Sequence, residues 1–252
     1  MVGRYGFWNN KRYSLEKMTL RELIGAYFQY YAINVYLGFG LLSTYYALKY
    51  MSYNFYDLIA VSVAIVTYPL AWYLLHRYIL HSKFLFKNKW TAKIWKRVHF
   101  DHHQDPHDLS VLFGALSSTL PTIFLLTAPV GWWLDGLGGA AAAFASGLFT
   151  TCFYEFAHCI QHLSYKPKNK MLDLMKKRHM EHHFHDESGN FGITNFFWDH
   201  VFKTYYVKSE RPKKSPTVHN LGYTQKVAET YPWVAELSGG LGPDNPSGRK
   251  AT

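Results

Sequence analysis

Residues 136–162 read GLGGAAAAFASGLFTTCFYEFAHCIQH. No charged side chain occurs from Gly136 to Tyr154; Glu155 closes the run, and His158 and His162 follow it four residues apart. A helix rising about 1.5 Å per residue needs roughly 20 apolar residues to cross about 30 Å of hydrocarbon, and this run approaches that length. A membrane-length block that ends on paired imidazoles contains both themes of the chain.

Three more blocks lie upstream: residues 23–48, which carry no charge before Lys49, then 58–75 and 109–134. The mean hydropathy of −0.17 conceals them, because the charges are gathered between the blocks. The last two blocks are separated only by Asp135, and DGLGG (135–139) predicts a tight turn and hence a helical hairpin. Pro69, Pro121 and Pro129 are compatible with membrane helices, whose neighbours satisfy the freed carbonyls. An aromatic content of 18%, with 20 Tyr and 8 Trp, suits rings placed at a membrane–water boundary. The pattern predicts an all-α integral membrane protein with four transmembrane helices and a cytoplasmic helical cap. The alternative, four buried helices of a soluble bundle, is disfavoured by the uncharged lengths.

Lysine and arginine set the orientation. Arg4, Lys11, Arg12, Lys17 and Arg21 precede the first block, seven cations from Arg77 to Arg97 follow the second, and six from Lys166 to Arg178 follow the fourth. The loop after the first block has only Lys49 and the 135–139 turn has none, so both termini and the histidine-bearing segments are expected on the cytoplasmic face. Topology and headgroup contact account for the net charge of +10 without a nucleic-acid partner. No secretory signal is visible. Cys152 and Cys159, about 10 Å apart along one helix, read as packing residues and not as a disulfide. The expected organisation is a cytoplasmic segment 1–22, a membrane and histidine-cage domain 23–206, and a cytoplasmic tail 207–252 whose last fifteen residues read as disordered.

Ten of the 14 histidines fall into four units: His76 and His81; His99, His102 and His103; His158 and His162; His179, His182 and His183. Positions i, i+3 and i+4 of a helix lie within about 100° of arc, so HFDHH and HMEHH are each expected to aim three imidazoles at one point. The spacing of five in HRYILH does not fit an ideal helix; either the helix ends or distorts there, or each ring serves a different ion. Neutral imidazole is the commonest metal ligand. Ten such nitrogens exceed what one ion accepts and predict two ions with about five histidines each, a site for activating water or O2.

The order HxxxxH, HxxHH, HxxxH, HxxHH joined to four membrane blocks resembles the fatty acid hydroxylase and sterol desaturase superfamily of membrane di-metal oxygenases. Residues 154–206, from YEFAHCIQHL to HMEHHFHDESGNFGITNFFWDHVFKTYY, are especially similar to fatty acid 2-hydroxylases, and HRYILH matches their first motif. The likeness covers residues 55–206. It departs at HFDHHQDPHDLSVLFGA, where the family pattern has Gly after the first His and later Arg-Leu-Val and Pro-Pro, and no stretch reads as a fused haem module. The resemblance implies that the ten motif histidines ligate two iron ions, replaceable by zinc, and that O2 and two electrons oxidise a C–H bond of a lipid. His107 and His185 are candidate further ligands, His200 reads as structural, and Asp101, Glu155, Glu181 and Asp199 are candidates for holding ring N–H groups. The GNFGIT loop (189–194) reads either as a plain turn or as a segment that braces the cage.

Hydroxylation of a fatty acyl chain near its carboxyl end is the leading expectation, with a sterol or carotenoid hydroxylase or desaturase second. A membrane zinc hydrolase would use three ligands per zinc and a carboxylate base. A metal carrier would need a polar path, which the uncharged blocks do not supply. The chain shows no dinucleotide fingerprint and no cysteine cluster, so a separate cytochrome b5-like or ferredoxin donor is expected; Lys176, Lys177 and Arg178 of KPKNKMLDLMKKRH (166–179) read either as its docking site or as contacts to anionic headgroups.

Overall fold

A computed structural model describes residues 13–239, and the regular elements among them are helical. The outer parts of the two terminal segments, 1–12 and 240–252, including nearly all of the stretch read as disordered, lie outside the described residues. The first apolar block is not one helix but two, α1 (Leu20–Gln29) and α2 (Tyr31–Tyr50), broken at Tyr30, which is extended. The Asn34 amide donates to the Phe28 and Tyr30 carbonyls at 3.0 and 3.3 Å, satisfying groups that the break exposes. The second block is α3 (Phe55–Leu74). Beyond Lys89–Trp95 (α4), the third block begins in a separate short helix, Leu109–Leu112, and its remainder from Leu116 lies with the fourth in α5 (Leu116–His162), which is interrupted at Asp135 and Gly136.

The described chain divides into two compact units. One holds Arg21–Ala71 and Ala115–His158. Within it the predicted hairpin is present: Gly136 turns the chain at φ 53°, and the two arms of α5 run antiparallel, with the Phe124 and Phe144 rings 5.3 Å apart. The arms approach closely because they meet at glycines. A Cβ on Gly131 would stand 2.2 Å from the Gly139 carbonyl oxygen, and one on Gly138 2.5 Å from that of Tyr50. Small residues at helix contacts allow this approach where apolar solvent offers no drive for association. Tyr68 donates to Thr151 at 3.0 Å, Tyr27 to the Cys152 carbonyl at 2.6 Å, and the Tyr36 and Thr119 hydroxyls are paired. Neither Cys152 nor Cys159 is in a disulfide among the described residues.

Among the described residues two helical stretches are long and apolar enough to cross a membrane, Phe55–Leu80 and Leu109–His162. The second contains both hairpin arms. α2 is not in that pair; five tyrosines lower its apolar character.

The other unit holds residues 13–20, Trp72–Gly114 and the chain after His158. Its elements include α4, capped by Asn88, and α6 (Lys170–Phe184), capped by Asn169, whose side-chain oxygens accept from first-turn N–H groups. The short α7 (Phe197–Val201), α8 (Gln225–Thr230) and α9 (Trp233–Leu237) complete it. The described part of the C-terminal segment folds back: Leu221, Tyr223, Ala228 and Val234 are buried in one core with Phe86, Trp95 and Phe100.

Candidate metal centre

The irregular spacing of HRYILH is resolved by the backbone. Residues Leu75–Leu80 continue α3 as a π-helix, and the His81 N–H donates to the His76 carbonyl at 3.0 Å, a bond spanning five residues. That wider turn brings the two rings onto one face, with their Nε2 atoms 3.2 Å apart. A second π-helix, Lys96–Phe100, carries His99, whose Nε2 lies 2.8 Å from that of His81.

The histidines form two groups. His76, His81, His99, His103 and His182 offer ligand atoms that all lie within 4.8 Å of one another; His102, His158, His162, His179 and His183 do the same. In the second group the Nε2 atoms of His162 and His179 are 2.9 Å apart. Neither HFDHH nor HMEHH aims all three rings at one point. Each gives its i and i+4 rings to one group and its i+3 ring to the other: His99 and His103 part from His102, and His179 and His183 part from His182. The reason is angular. Rings at i and i+4 are about 40° apart, whereas i+3 lies on the other side of i.

Backbone carbonyls fix the ring tautomers. His76 Nδ1 is 2.7 Å from the Phe191 oxygen, His103 Nδ1 2.9 Å from that of Val218, and His182 Nδ1 2.7 Å from that of Gly189. A carbonyl only accepts, so Nδ1 carries the proton in each ring and Nε2 presents its lone pair to the first group. Burial, followed by the neighbouring imidazoles, pushes His81, His99 and His183 well below the usual histidine range, keeping them neutral. His183 is fully buried with no hydrogen-bond partner at either ring nitrogen. Such a group is costly in a protein interior unless a cation takes the lone pair. Neutral, buried, convergent nitrogens with preset tautomers fit two imidazole-bound transition metals.

Asp101 is paired with buried Lys96 at 2.8 Å, and Glu181 with Arg178. Glu155 is buried on α5 three residues before His158. Asp199 accepts from the Phe191 and Gly192 N–H groups at 2.8 Å each and from Thr204 at 2.7 Å. The GNFGIT loop thus braces the cage, through its main chain. Gly189 and Gly192 are needed for close approach: Cβ atoms there would meet the Thr204 and Asn195 carbonyl oxygens at 2.4 and 2.1 Å. The left-handed residue is Asn190, at φ 54°.

His107, His185 and His200 stand outside both groups. His107 Nδ1 faces the His162 carbonyl at 3.0 Å, His185 Nε2 the Arg211 carbonyl at 2.6 Å, and His200 stacks on Tyr205 with centroids 4.1 Å apart. Sequence reasoning missed the C-terminal contribution: besides Val218, Gln104 donates to the His219 carbonyl at 2.5 Å. Carbonyls leave no side-chain signal. The expected docking triple is also altered. Lys176 donates to the Leu163 and Tyr165 carbonyls, and Arg178 is buried against Glu181 and Tyr205, leaving Lys177 exposed beside Asp173 at 2.7 Å.

The sequence profile described as fatty acid hydroxylase matches residues 61–204. Fatty acid 2-hydroxylase of Mus musculus is 28% identical over 142 residues, covering 56% of this chain and 38% of its own. The ceramide very long chain fatty acid hydroxylase SCS7 of Saccharomyces cerevisiae is 31% identical over 150 residues, covering 57% and 37%. The chain therefore spans well under half the length of these relatives. A solved structure of full-length Scs7p, with only the hydroxylase domain visible, superposes with a TM-score of 0.60 at 29% identity, covering 73% of this chain and 68% of that one.

Proposed function

We propose, from the premise that this chain belongs to the fatty acid hydroxylase family, that it is an O2-dependent hydroxylase of a membrane-borne fatty acyl chain. The observation that carries this reading is the pair of five-histidine groups. His76, His81, His99, His103 and His182 would hold one iron ion, and His102, His158, His162, His179 and His183 the other. Two bound iron ions supply the redox chemistry by which O2, two electrons and two protons hydroxylate an unactivated C–H bond with release of water.

The protein's own part is to keep ten imidazoles buried or half-buried and aimed at two points. The carbonyls of Gly189, Phe191 and Val218 hold Nδ1 protons, and Asp199 holds the loop that bears two of those carbonyls. Ligand number separates this site from a zinc hydrolase, which needs open positions on a three-ligand ion. Zinc remains a competent replacement during preparation, since imidazole suits both metals.

In the membrane, we read α2, α3 and the two arms of α5 as four crossings, with the cation-rich segments and both termini on the cytoplasmic side. α2, at about 1.5 Å per residue, is long enough. The hydroxylase body is then residues 23–206 extended by the packed segment to 239. An acyl chain reaches the metals from the bilayer, and a separate donor, cytochrome b5-like or ferredoxin-like, delivers electrons.

Mass spectrometry of lipid extracts from expressing and non-expressing cells is the test. Fatty acyl species gaining one oxygen, lost in His103→Ala and His179→Ala, support the reading; species losing two hydrogens, or no change with iron-loaded protein and donor present, overturn it.

A further inference from the structure

Residues 81–100 contain six cations and no carboxylate. Lys83, Lys87, Lys89 and Lys93 are exposed, and between them stand Phe84, Trp90 and Ile94, which are 54%, 81% and 53% exposed. Trp90 and Ile94 are four residues apart and so share one face of α4, while Ala92 and Trp95 are fully buried on the opposite side. An apolar face carrying a tryptophan this exposed, ringed by lysines, is unusual on a water-facing surface.

The position of this face limits what covers it. The indole Nε1 of Trp95 donates to the Leu80 carbonyl at 2.6 Å. Leu80 is the last residue of the apolar stretch Phe55–Leu80. Trp90 is five residues from Trp95, about 7.5 Å along the helix axis. α4 is therefore held beside the end of that stretch, at the depth where, if the stretch crosses a bilayer, headgroups meet acyl chains. Tryptophan is enriched at that depth, and lysine pairs there with anionic headgroups.

We propose that α4 and the turn before it form a membrane-surface anchor: Phe84, Trp90 and Ile94 enter the headgroup–acyl boundary of the leaflet while Lys83, Lys87, Lys89 and Lys93 bind anionic lipid. The occupant is the lipid surface itself, chosen over a protein partner by the cations and by the tether to Leu80. The anchor holds the π-helices bearing His76 and His99 at a fixed height over the bilayer, since both flank α4 in the chain. The inference rests on reading Phe55–Leu80 as membrane-spanning.

The test uses the full chain in phosphatidylcholine vesicles with and without phosphatidylserine. An environment-sensitive fluorophore is attached at Trp90→Cys or Ile94→Cys, with unsubstituted protein reporting the background from Cys152 and Cys159. Spin-labelled lipids carry the quencher at shallow or deep acyl carbons. A label at 90 or 94 is expected to lose roughly half its emission to the shallow quencher and less to the deep one, the depth order of an interfacial helix. Phosphatidylserine should strengthen the effect, and the Lys83, Lys87, Lys89 and Lys93→Gln variant should abolish that strengthening. Val66→Cys, from an exposed position mid-way along the apolar stretch, is the control for the premise. Quenching at 66 with water-like emission at 90 and 94 overturns the anchor alone. Blue-shifted emission at 90 and 94 that no lipid quencher reaches shows a protein or a second copy on the face, and also overturns it. No quenching at 66 removes the spanning premise and the anchor with it.

Discussion

Asp199 accepts the Phe191 N–H at 2.8 Å, and the carbonyl of that same Phe191 faces His76 Nδ1 at 2.7 Å. A carboxylate on α7, eight residues along the chain from Phe191, therefore acts on a ring in the cage through that residue's backbone. Asp199→Asn keeps the shape but cannot accept on both atoms. It should cost about 1.5–3 kcal/mol, the range for hydrogen bonds to a charged group. Metal analysis should show depletion of one ion, and unfolding should begin at a lower temperature. Full metal content with unchanged stability would remove Asp199 from this role.

Single histidine replacements should behave by group and not by motif. His102→Ala should deplete an ion held by His158, His162, His179 and His183, although its motif neighbours His99 and His103 belong to the other group. Anomalous scattering from crystals of the variant distinguishes the two positions. Loss at the His99 position instead would refute the grouping. His81→Ala, His99→Ala, His103→Ala, His158→Ala, His179→Ala and His183→Ala should each abolish oxidation while the protein stays membrane-inserted.

The metal-free protein should be acid-sensitive. His81, His99 and His183 are held neutral, well below their ordinary 6.5, so below about that pH the unfolded chain binds more protons than the folded one. Stability is then lost as pH falls through 6.5 towards the folded-state values. Melting of chelator-treated protein in detergent at about pH 5.5 and 7.5 should show the lower temperature at the acid end. Equal melting would mean that these rings titrate freely.

The C-terminal segment should be needed for the cage. Tyr223 is fully buried among Phe86, Trp95 and Phe100, and its hydroxyl donates to the Tyr231 carbonyl at 2.6 Å. Tyr223→Ala should cost about 3–5 kcal/mol, as other buried aromatic truncations do. Metal affinity should fall along with stability, because the Val218 carbonyl that orients His103 belongs to the same segment. Normal iron binding in a destabilised variant would separate the two.

Charge reversal on α6 should split by position. Lys177→Glu leaves internal contacts intact apart from the exposed pair with Asp173, so it should change donor-supported turnover or nothing. Lys176→Glu and Arg178→Glu break partly buried contacts and should lower the melting temperature. Equal stability of all three variants would restore the triple as a free docking patch.

The sequence displays what side chains do. Histidine spacing made two convergent groups of imidazoles legible, and the DGLGG turn made the hairpin legible, because both depend on residue identity. The break at Tyr30 was not legible: it lies inside an uncharged run and is stabilised by one amide, Asn34. Two π-turns were hidden for a similar reason, since no residue type marks them, although the five-residue spacing of His76 and His81 showed that an ideal helix could not serve. Lys176 and Arg178 looked like surface charge; only tertiary contact shows that they are engaged. Carbonyl partners of His76, His103 and His182 had no signal at all.

The division of the histidines also ties the two halves of the chain to each other. Residues 76–103 supply four of the five rings of the first group, and residues 158–183 supply four of the five of the second; His182 and His102 are exchanged between them. The later segment must lend His182 to finish the first group, and must borrow His102 to finish its own. The exchange works as a clasp: neither half of the chain completes its own group of five rings alone.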